Sequence, residues 1–341
     1  MRALVYQREK SIAVEEVPRP SAGPGEVLLR VAATGICGSD VHGYLGLTGR
    51  RVAPMIMGHE FCGTVDQVGD GVRGFDGGEL VSVQPVAFCG SCDYCREGLT
   101  NLCTSRRFFG VMNCNGSMAE YLNVPARLLY RMPGSMAPEL GAMVEPLAVA
   151  LRAVKRAGER IAGRTVLVVG AGTIGLLLLA VLRLRRPSRV LVSDLSDRRL
   201  ELARKMGAEV VMNPARQEVP EVARELTGGR GADLSFEAVG LGASVEQALS
   251  SLRPRGTCVW VGNSQKVIPL DMQATVTREV EVLGSYIYTH AEFGEALDLL
   301  VRGEVDVRPV ISRTATLEDG PELFAELARP GTDLVKVVLR S

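Results

Sequence analysis

The sequence has few histidines, a single tryptophan and no excess of charge of either sign. Its 341 residues include 3 His and 1 Trp, and 39 Lys+Arg balance 39 Asp+Glu. A neutral chain has neither the electrostatic footprint of a nucleic-acid-binding protein nor a polybasic membrane patch. The longest apolar run, residues 176–182, is far too short to span a bilayer. We therefore expect neither a nucleic-acid partner nor a membrane partner.

The sequence also begins without a secretory signal, so we expect a cytoplasmic protein. Hydrophobic residues at 46% and charged residues at 23% are ordinary values for a globular protein, and the length allows two domains. What the chain does have is 8 Cys. In a protein that is not secreted, clustered cysteines are more often metal ligands or reactive thiols than disulfides.

The pattern of secondary structure changes along the chain. Up to about residue 130, short strand-like segments alternate with Gly and Pro, which is typical of a β-rich, barrel-like domain. From about residue 140, apolar strands alternate with helices, which predicts a parallel sheet with right-handed crossovers. The strands predicted in this part are 165–169, 190–193, 210–212, 234–238, 258–261 and 280–283. After about residue 286 the pattern is mixed, with a helix near 291–302 and a last strand at 334–339.

Residues 170–175, GAGTIG, fit the pattern G-x-G-x-x-G between a predicted strand and a predicted helix. Such glycines allow a tight turn and a close approach to a pyrophosphate, which the helix N-terminus then binds. Asp194 ends the next strand, where a carboxylate would bind the adenosine ribose and repel a 2′-phosphate. NAD is therefore favoured over NADP, with Arg198 and Arg199 weakening that preference. The predicted cofactor-binding residues are Gly170, Gly172, Thr173, Ile174, Gly175, Asp194 and Arg199.

Two groups of residues have the chemistry of zinc ligands. Cys89, Cys92, Cys95 and Cys103 form C-x2-C-x2-C-x7-C, and four thiolates at this density suit a closed, structural zinc site. The second group is dispersed: Cys37, His59, Glu60 and, in an apolar segment, Glu145. Cys, His and a carboxylate can hold a catalytic zinc with an open position. Spacing alone leaves a plainer alternative, in which His59 is a core histidine and Glu145 an acid at a helix start.

Residues 37–42, CGSDVH, followed by 58–63, GHEFCG, and Gly69, resemble the zinc signature of the medium-chain alcohol dehydrogenase family. The four-cysteine segment, EPL at 145–147 and GAGTIG follow in the family's order, so the resemblance covers essentially the whole chain. It is strongest to the polyol and sugar-alcohol branch, which includes sorbitol and galactitol-1-phosphate dehydrogenases. The threonine dehydrogenases are close relatives of this branch.

The resemblance implies an α/β protein of two domains. A GroES-like, β-rich catalytic domain would comprise residues 1–150, completed by 286–341, and a Rossmann domain with a doubly wound parallel sheet would comprise 151–285. The family also implies a homodimer or homotetramer acting on a small-molecule alcohol. Two other functions stay open: an amino-alcohol dehydrogenase acting on a threonine-like substrate, and a catalytically silent NAD-binding protein.

The same resemblance assigns roles to the site residues. Cys37, His59 and Glu60 would hold the catalytic Zn²⁺, and Glu145 would be either a fourth ligand or the hydrogen-bond partner of a zinc-bound water. Asp40 would orient His59. Ser39 would relay the alcohol proton through the nicotinamide ribose to His42, while hydride passes to NAD to give the ketone.

Overall fold

The computed structural model describes residues 1–112 and 114–341. The strands in chain order are β1 (Arg2–Arg8), β2 (Ser11–Glu16), β3 (Glu26–Ile36), β4 (Met55–Ile56), β5 (Glu60–Val68), β6 (Leu80–Val83), β7 (Val86–Ala87), β8 (Arg107–Phe108), β9 (Tyr121–Pro125), β10 (Leu129–Arg131), β11 (Thr165–Val169), β12 (Arg189–Ser193), β13 (Val210–Met212), β14 (Ala232–Glu237), β15 (Leu252–Trp260), β16 (Glu281–Gly284), β17 (Ile311–Thr316) and β18 (Lys336–Arg340). The helices are α1 (Gly38–Tyr44), α2 (Asp93–Arg96), α3 (Pro138–Ala142), α4 (Val144–Arg156), α5 (Thr173–Leu184), α6 (Asp197–Lys205), α7 (Val219–Glu225), α8 (Gly242–Ser250), α9 (Met272–Thr277), α10 (His290–Val301) and α11 (Gly320–Leu327). Short 3-10 helices occupy Thr100–Leu102, Ala126–Leu128, Gly158–Ile161, Arg308–Val310 and Leu317–Asp319.

The chain divides into two compact units. The first unit comprises Met1–Glu145 and Tyr288–Ser341, and the second comprises Pro146–Ile287. The second unit is therefore an insertion in the sequence of the first.

The second unit contains a six-stranded sheet in the order β13-β12-β11-β14-β15-β16, in which every neighbouring pair is parallel. Its strands are short apolar runs, and all five residues of β11 are buried. Strands of a parallel sheet are apolar along their whole length because crossover helices pack against both faces of the sheet. The order is that of a doubly wound dinucleotide-binding fold, whose ligands bind beyond the carboxyl ends of the strands. The predicted parallel α/β sheet is confirmed.

The first unit is β-rich. Its main sheet has the order β10-β6-β5-β3-β18-β17, with β9 also paired to β3, and β2-β1-β4 and β7-β8 form two smaller sheets. In this sheet β3 pairs with β5, so that Gly35 lies opposite Glu60. The last strand, β18, pairs with β3 on its other side and brings Val337 opposite Ile36. This pairing places the end of the chain beside the residues that precede Cys37.

The helices are short. The most apolar of them, α5, has 12 residues, which corresponds to about 18 Å, against about 30 Å for a hydrocarbon core. It buries four consecutive leucines, Leu176 to Leu179, within the second unit. Among the described residues, no helix combines the length and the apolar content that a membrane crossing requires.

Candidate active site and metal centres

Cys37 joins β3 to α1 and caps the N-terminus of that helix. The backbone N–H of Ser39 donates to Cys37 Sγ at 3.5 Å, and the backbone N–H of Cys37 donates to Asp40 Oδ2 at 3.2 Å. This reciprocal arrangement is a capping box in which the thiol replaces the usual hydroxyl. The local sequence Cys-Gly-Ser-Asp therefore holds the sulfur of Cys37 at a defined place at the start of α1.

Cys37, His59 and Glu60 come together at the end of the main sheet of the first unit. One ligand atom from each lies within 4.8 Å of the others. Gly35 leaves the room that the carboxylate needs, because a Cβ at that position would lie 2.1 Å from Glu60 Oε2. One thiolate, one imidazole and one carboxylate form a donor set that suits zinc and leaves a fourth position open. The residues therefore fit a catalytic zinc ion.

Asp40 lies behind His59. Its Oδ1 is 3.4 Å from His59 Nδ1, and that buried nitrogen has no hydrogen-bond partner of normal geometry among the described residues. Burial by itself would raise the pKa of Asp40, but His59 and Arg51 together hold it well below its usual range. An ionised carboxylate facing the second ring nitrogen is how proteins orient a metal-binding histidine.

Lys336 on β18 is a partner of Glu60 that the sequence reading did not find. Its Nζ donates to Glu60 Oε2 at 2.6 Å, to Glu60 Oε1 at 2.8 Å and to the backbone oxygen of Ile36 at 3.1 Å. Both side chains are buried. The one signal in the sequence is a lysine inside a predicted apolar strand. Such a residue needs a buried partner, because an isolated charge is costly in the interior.

Glu145 lies outside the group formed by Cys37, His59 and Glu60. Its side chain is buried, and burial raises its pKa to about 7; Glu60 adds to this shift, while His59 opposes it. Tyr288 is fully buried, and its hydroxyl has no hydrogen-bond partner of normal geometry among the described residues. The pKa of Tyr288 is raised by burial and then by the nearby Glu145. In this geometry Glu145 is a buried neighbour of the metal-binding group, and its role as a fourth ligand or as the partner of a zinc-bound water remains a prediction.

Ser39 and His42 lie three positions apart on α1, and residues at this spacing share one helix face. Ser39 is exposed, and its Oγ accepts a hydrogen bond from Arg51 Nη2 at 3.2 Å. His42 is half-buried, and burial lowers its pKa. The structure thus places a hydroxyl and an imidazole on the helix that carries Cys37. Their role in proton transfer remains a prediction.

The four-cysteine segment forms a second group. Cys89, Cys92, Cys95 and Cys103 bring their sulfur atoms within 4.8 Å of one another, and Cys89 Sγ lies 3.9 Å from Cys95 Sγ. A tetrahedral site with Zn–S bonds of about 2.3 Å separates its sulfurs by about 3.8 Å, whereas a disulfide would require about 2.05 Å. Hydrogen bonds from the backbone N–H groups of Ser91 and Cys92 lower the pKa of Cys89 to about 5. The group fits a closed zinc site.

Replacing Cys92 with serine is expected to remove this zinc ion selectively. Zinc content falls from about two ions per chain to about one, because a neutral hydroxyl is a poor zinc ligand. Amide protection of residues 89–103 falls by about 10-fold or more, since the zinc ion would link four points of this segment. Metal analysis and hydrogen exchange measure both effects. Cys114→Ser, at a position of similar exposure outside both groups, should change neither, and unchanged zinc content in Cys92→Ser would contradict the assignment.

The turn between β11 and α5 contains three glycines, each with a different structural role. Gly170 has φ +98°, and a Cβ at Gly175 would lie 1.7 Å from the backbone oxygen of Gly170. These two glycines are required by the turn and by the close packing of helix on strand. A Cβ at Gly172 would meet nothing within 4 Å, and α5 begins at Thr173 without a side-chain cap. The turn therefore fits a dinucleotide, with Gly172 and the helix start open to a pyrophosphate.

Asp194 lies against the same turn. Its Oδ2 accepts from the backbone N–H of Ala171 at 2.7 Å, and its Oδ1 accepts from that of Ser196 at 2.8 Å. Arg199 lies in the first turn of α6, where its backbone N–H donates to Ser196 Oγ at 3.3 Å, and Ile174 follows Thr173 on α5. The structure thus brings the glycine turn and Asp194 together and places Arg199 in the helix that follows.

Both parts of the chain match known family models. Residues 23–134 match a model described as alcohol dehydrogenase GroES-like domain, and residues 173–302 match one described as zinc-binding dehydrogenase. The chain is 36% identical to 2-dehydro-3-deoxy-L-galactonate 5-dehydrogenase of Pseudoalteromonas atlantica, covering 96% of this chain and 95% of the relative. It is 37% identical to L-threonine 3-dehydrogenase of Pyrococcus horikoshii, covering 93% and 91%. The crystal structure of galactitol-1-phosphate dehydrogenase from Escherichia coli superimposes with a TM-score of 0.92 at 28% identity, covering 100% of both chains.

Proposed function

The chain belongs to the zinc-dependent medium-chain alcohol dehydrogenase family, and on that premise we propose that it oxidises a secondary alcohol of a sugar derivative to the ketone with NAD. Within the family it lies in the polyol and sugar-alcohol branch. The first unit serves as the catalytic domain and the second as the NAD-binding domain. One observation carries the proposal: the approach of Cys37, His59 and Glu60 to within 4.8 Å.

In the proposed reaction, different residues of the first unit bind the metal, orient its ligands and transfer the proton. When bound, zinc supplies a Lewis acid that makes the alcohol more acidic, and NAD supplies the hydride acceptor. Cys37, His59 and Glu60 hold the metal, and Asp40 orients His59. Ser39 accepts the alcohol proton and His42 exchanges it with solvent, for which an imidazole with a lowered pKa is suited.

The substrate class is proposed from the relatives, which act on a deoxy sugar acid and on a sugar-alcohol phosphate by name. The test is a panel of sugar alcohols, their phosphates, sugar acids and L-threonine, assayed with NAD and NADP on protein of known zinc content. Oxidation of a sugar derivative with about two zinc ions per chain supports the proposal. Turnover of L-threonine alone would favour the second candidate, an amino-alcohol dehydrogenase, which the relative of 37% identity supports. NAD binding without any turnover would indicate a silent protein.

Replacing Asp194 with alanine is expected to shift cofactor preference from NAD towards NADP. The variant has no carboxylate to bind the ribose of NAD or to repel the 2′-phosphate of NADP. Hydrogen bonds to charged groups are worth about 1.5–3 kcal/mol. The ratio of kcat/KM for NAD to that for NADP should fall about 10–100-fold. Steady-state kinetics with both cofactors measures it. Asp197→Ala, three positions later and more exposed, is the matched control; an unchanged ratio in Asp194→Ala would be inconsistent with the assignment.

We propose that the protein forms a homodimer, and two features of the second unit support this. β16 is an edge strand, and the nearby segment carries exposed apolar side chains: Val267 is 83%, Met272 70% and Val276 66% exposed. Edge strands and apolar patches of this kind are commonly covered by a partner, most often a second copy related by a two-fold axis. Light scattering coupled to size exclusion tests it: a mass of one chain would contradict the proposal, and a mass of four chains would indicate a homotetramer.

The state of the cysteines supports the cytoplasm as the location. All eight cysteines are unpaired in the structure, including the four of the proposed structural zinc site. Thiolates at this density persist as metal ligands in a reducing compartment, whereas an oxidising one favours disulfides.

A further inference from the structure

Arg51 is a buried arginine that the proposed reaction has not yet used. Its side chain is 2% exposed, and that of its ion-pair partner Asp40 is 0% exposed. One nitrogen, Nη2, makes two contacts: it donates to Asp40 Oδ1 at 2.6 Å and to Ser39 Oγ at 3.2 Å. A single guanidinium nitrogen therefore joins the carboxylate behind His59 to the hydroxyl on α1.

We propose that Arg51 is a positioning residue for the proposed alcohol oxidation, holding Asp40 against His59 and fixing the direction in which Ser39 can pass a proton. The inference rests on the proposed function for its Ser39 part. Its Asp40 part concerns only the retention of zinc, and it can be tested whatever the substrate is.

The first effect of Arg51 passes through Asp40. Asp40 Oδ2 accepts a hydrogen bond from the backbone N–H of Cys37. Asp40 Oδ1 accepts one from Arg51 Nη2 and lies 3.4 Å from His59 Nδ1. Asp40 thus touches two of the three metal-binding residues, and Arg51 is the cation that fixes it in place. Without that cation, the buried carboxylate has lost its ion-pair partner, and the orientation of the His59 ring is less defined.

The second effect passes through Ser39. A hydroxyl has one proton to donate and two lone pairs. An arginine can only donate, so Arg51 occupies one lone pair and the proton of Ser39 must point to another acceptor. In the proposed transfer, the substrate O–H bond breaks as its proton binds the remaining lone pair of Ser39, and the original Ser39 proton leaves towards His42. The positive charge of Arg51 disfavours a doubly protonated Ser39, so that the two proton movements stay coupled.

The Arg51 side chain packs against a glycine of α1. Gly43 lies inside α1, and a Cβ at that position would lie 2.3 Å from Arg51 Cγ. Gly43 is the next-to-last residue of α1, and the lack of a side chain there leaves room for that of Arg51. Arg51 Nε is also buried without a hydrogen-bond partner among the described residues. A buried donor left unpaired is unfavourable, which argues against a purely stabilising role for the ion pair.

The test compares Arg51→Met and Gly43→Ala with the wild-type protein, with Arg50→Met as the control at the adjacent, exposed arginine. The first readout is the rate at which a chelator removes the catalytic zinc, followed in protein whose zinc content is known. We expect this rate to rise about 10–100-fold in Arg51→Met, as for other residues that orient metal ligands, and to rise in the same direction in Gly43→Ala. Arg50→Met should release zinc at the wild-type rate.

The second readout is kinetic. In Arg51→Met, kcat should fall more than the KM for the alcohol changes, and the solvent isotope effect on kcat should increase as proton transfer becomes limiting. Added guanidinium should restore part of kcat in Arg51→Ala. Zinc release and kcat within twofold of wild type in Arg51→Met, Arg51→Ala and Gly43→Ala, with only a lower melting temperature, would show a merely structural role and overturn the inference. If the wild-type protein oxidises none of the alcohols, the proposed function fails, and the zinc-release rates alone decide whether Arg51 positions Asp40.

Discussion

Replacing Cys37 with serine is expected to lower kcat/KM for alcohol oxidation on the order of 10⁴-fold and to remove about one zinc ion per chain. The capping position on α1 can accept serine, because a hydroxyl can take the hydrogen bond that Ser39 N–H now gives to the sulfur. The fold should therefore persist. The hydroxyl is not ionised at neutral pH, however, so the metal-binding group loses a charged ligand and with it the Lewis acid.

Three measurements separate this outcome from unfolding. NAD binding, followed by fluorescence titration, should be unchanged, since the glycine turn and Asp194 belong to the second unit. The four-cysteine site should retain its zinc. Cys114→Ser, the matched substitution outside both groups, should keep full activity. A Cys37→Ser variant with wild-type kcat/KM would exclude the proposed mechanism.

Replacing Lys336 with methionine is expected to destabilise the metal-free protein by about 3–5 kcal/mol. The change leaves the Glu60 carboxylate buried without the cation that now contacts both of its oxygens. With zinc bound, Glu60 has a second positive partner, so the destabilisation should be smaller. Urea unfolding of zinc-loaded and chelator-treated samples measures the two values.

The double variant Glu60→Gln/Lys336→Met shows whether the loss comes from the unpaired charge. Removing both members of a buried ion pair costs much less than removing one, so the double variant should recover most of the stability. Lys205→Met is the control, because the same substitution there affects an exposed ion pair on α6. Equal destabilisation in the single and double variants would mean that packing, and not charge, determines the effect.

The sequence by itself determined the features that depend on local spacing. GAGTIG predicted the strand–turn–helix unit because its outer glycines are required by local geometry. Gly170 has a positive φ, and Gly175 allows the helix to pack closely on the strand. The spacing of the four cysteines predicted that their sulfur atoms come together, because all four lie within a short length of chain. The alternation of apolar strands and helices predicted the parallel sheet of the second unit.

Only the tertiary structure decided which distant residues meet. Lys336 and Glu60 are 276 positions apart, and they touch because β18 pairs with β3, which pairs with β5. The sequence alone does not distinguish Arg51 from the other arginines, whereas the structure buries it beside Asp40. It also left the role of Glu145 open, and the structure buries this carboxylate near Glu60 and His59 without deciding whether it is a ligand. Backbone geometry and helix caps act over a few residues and can be read from the sequence. Contacts across a sheet depend on register and strand order, which arise from the packing of the whole unit.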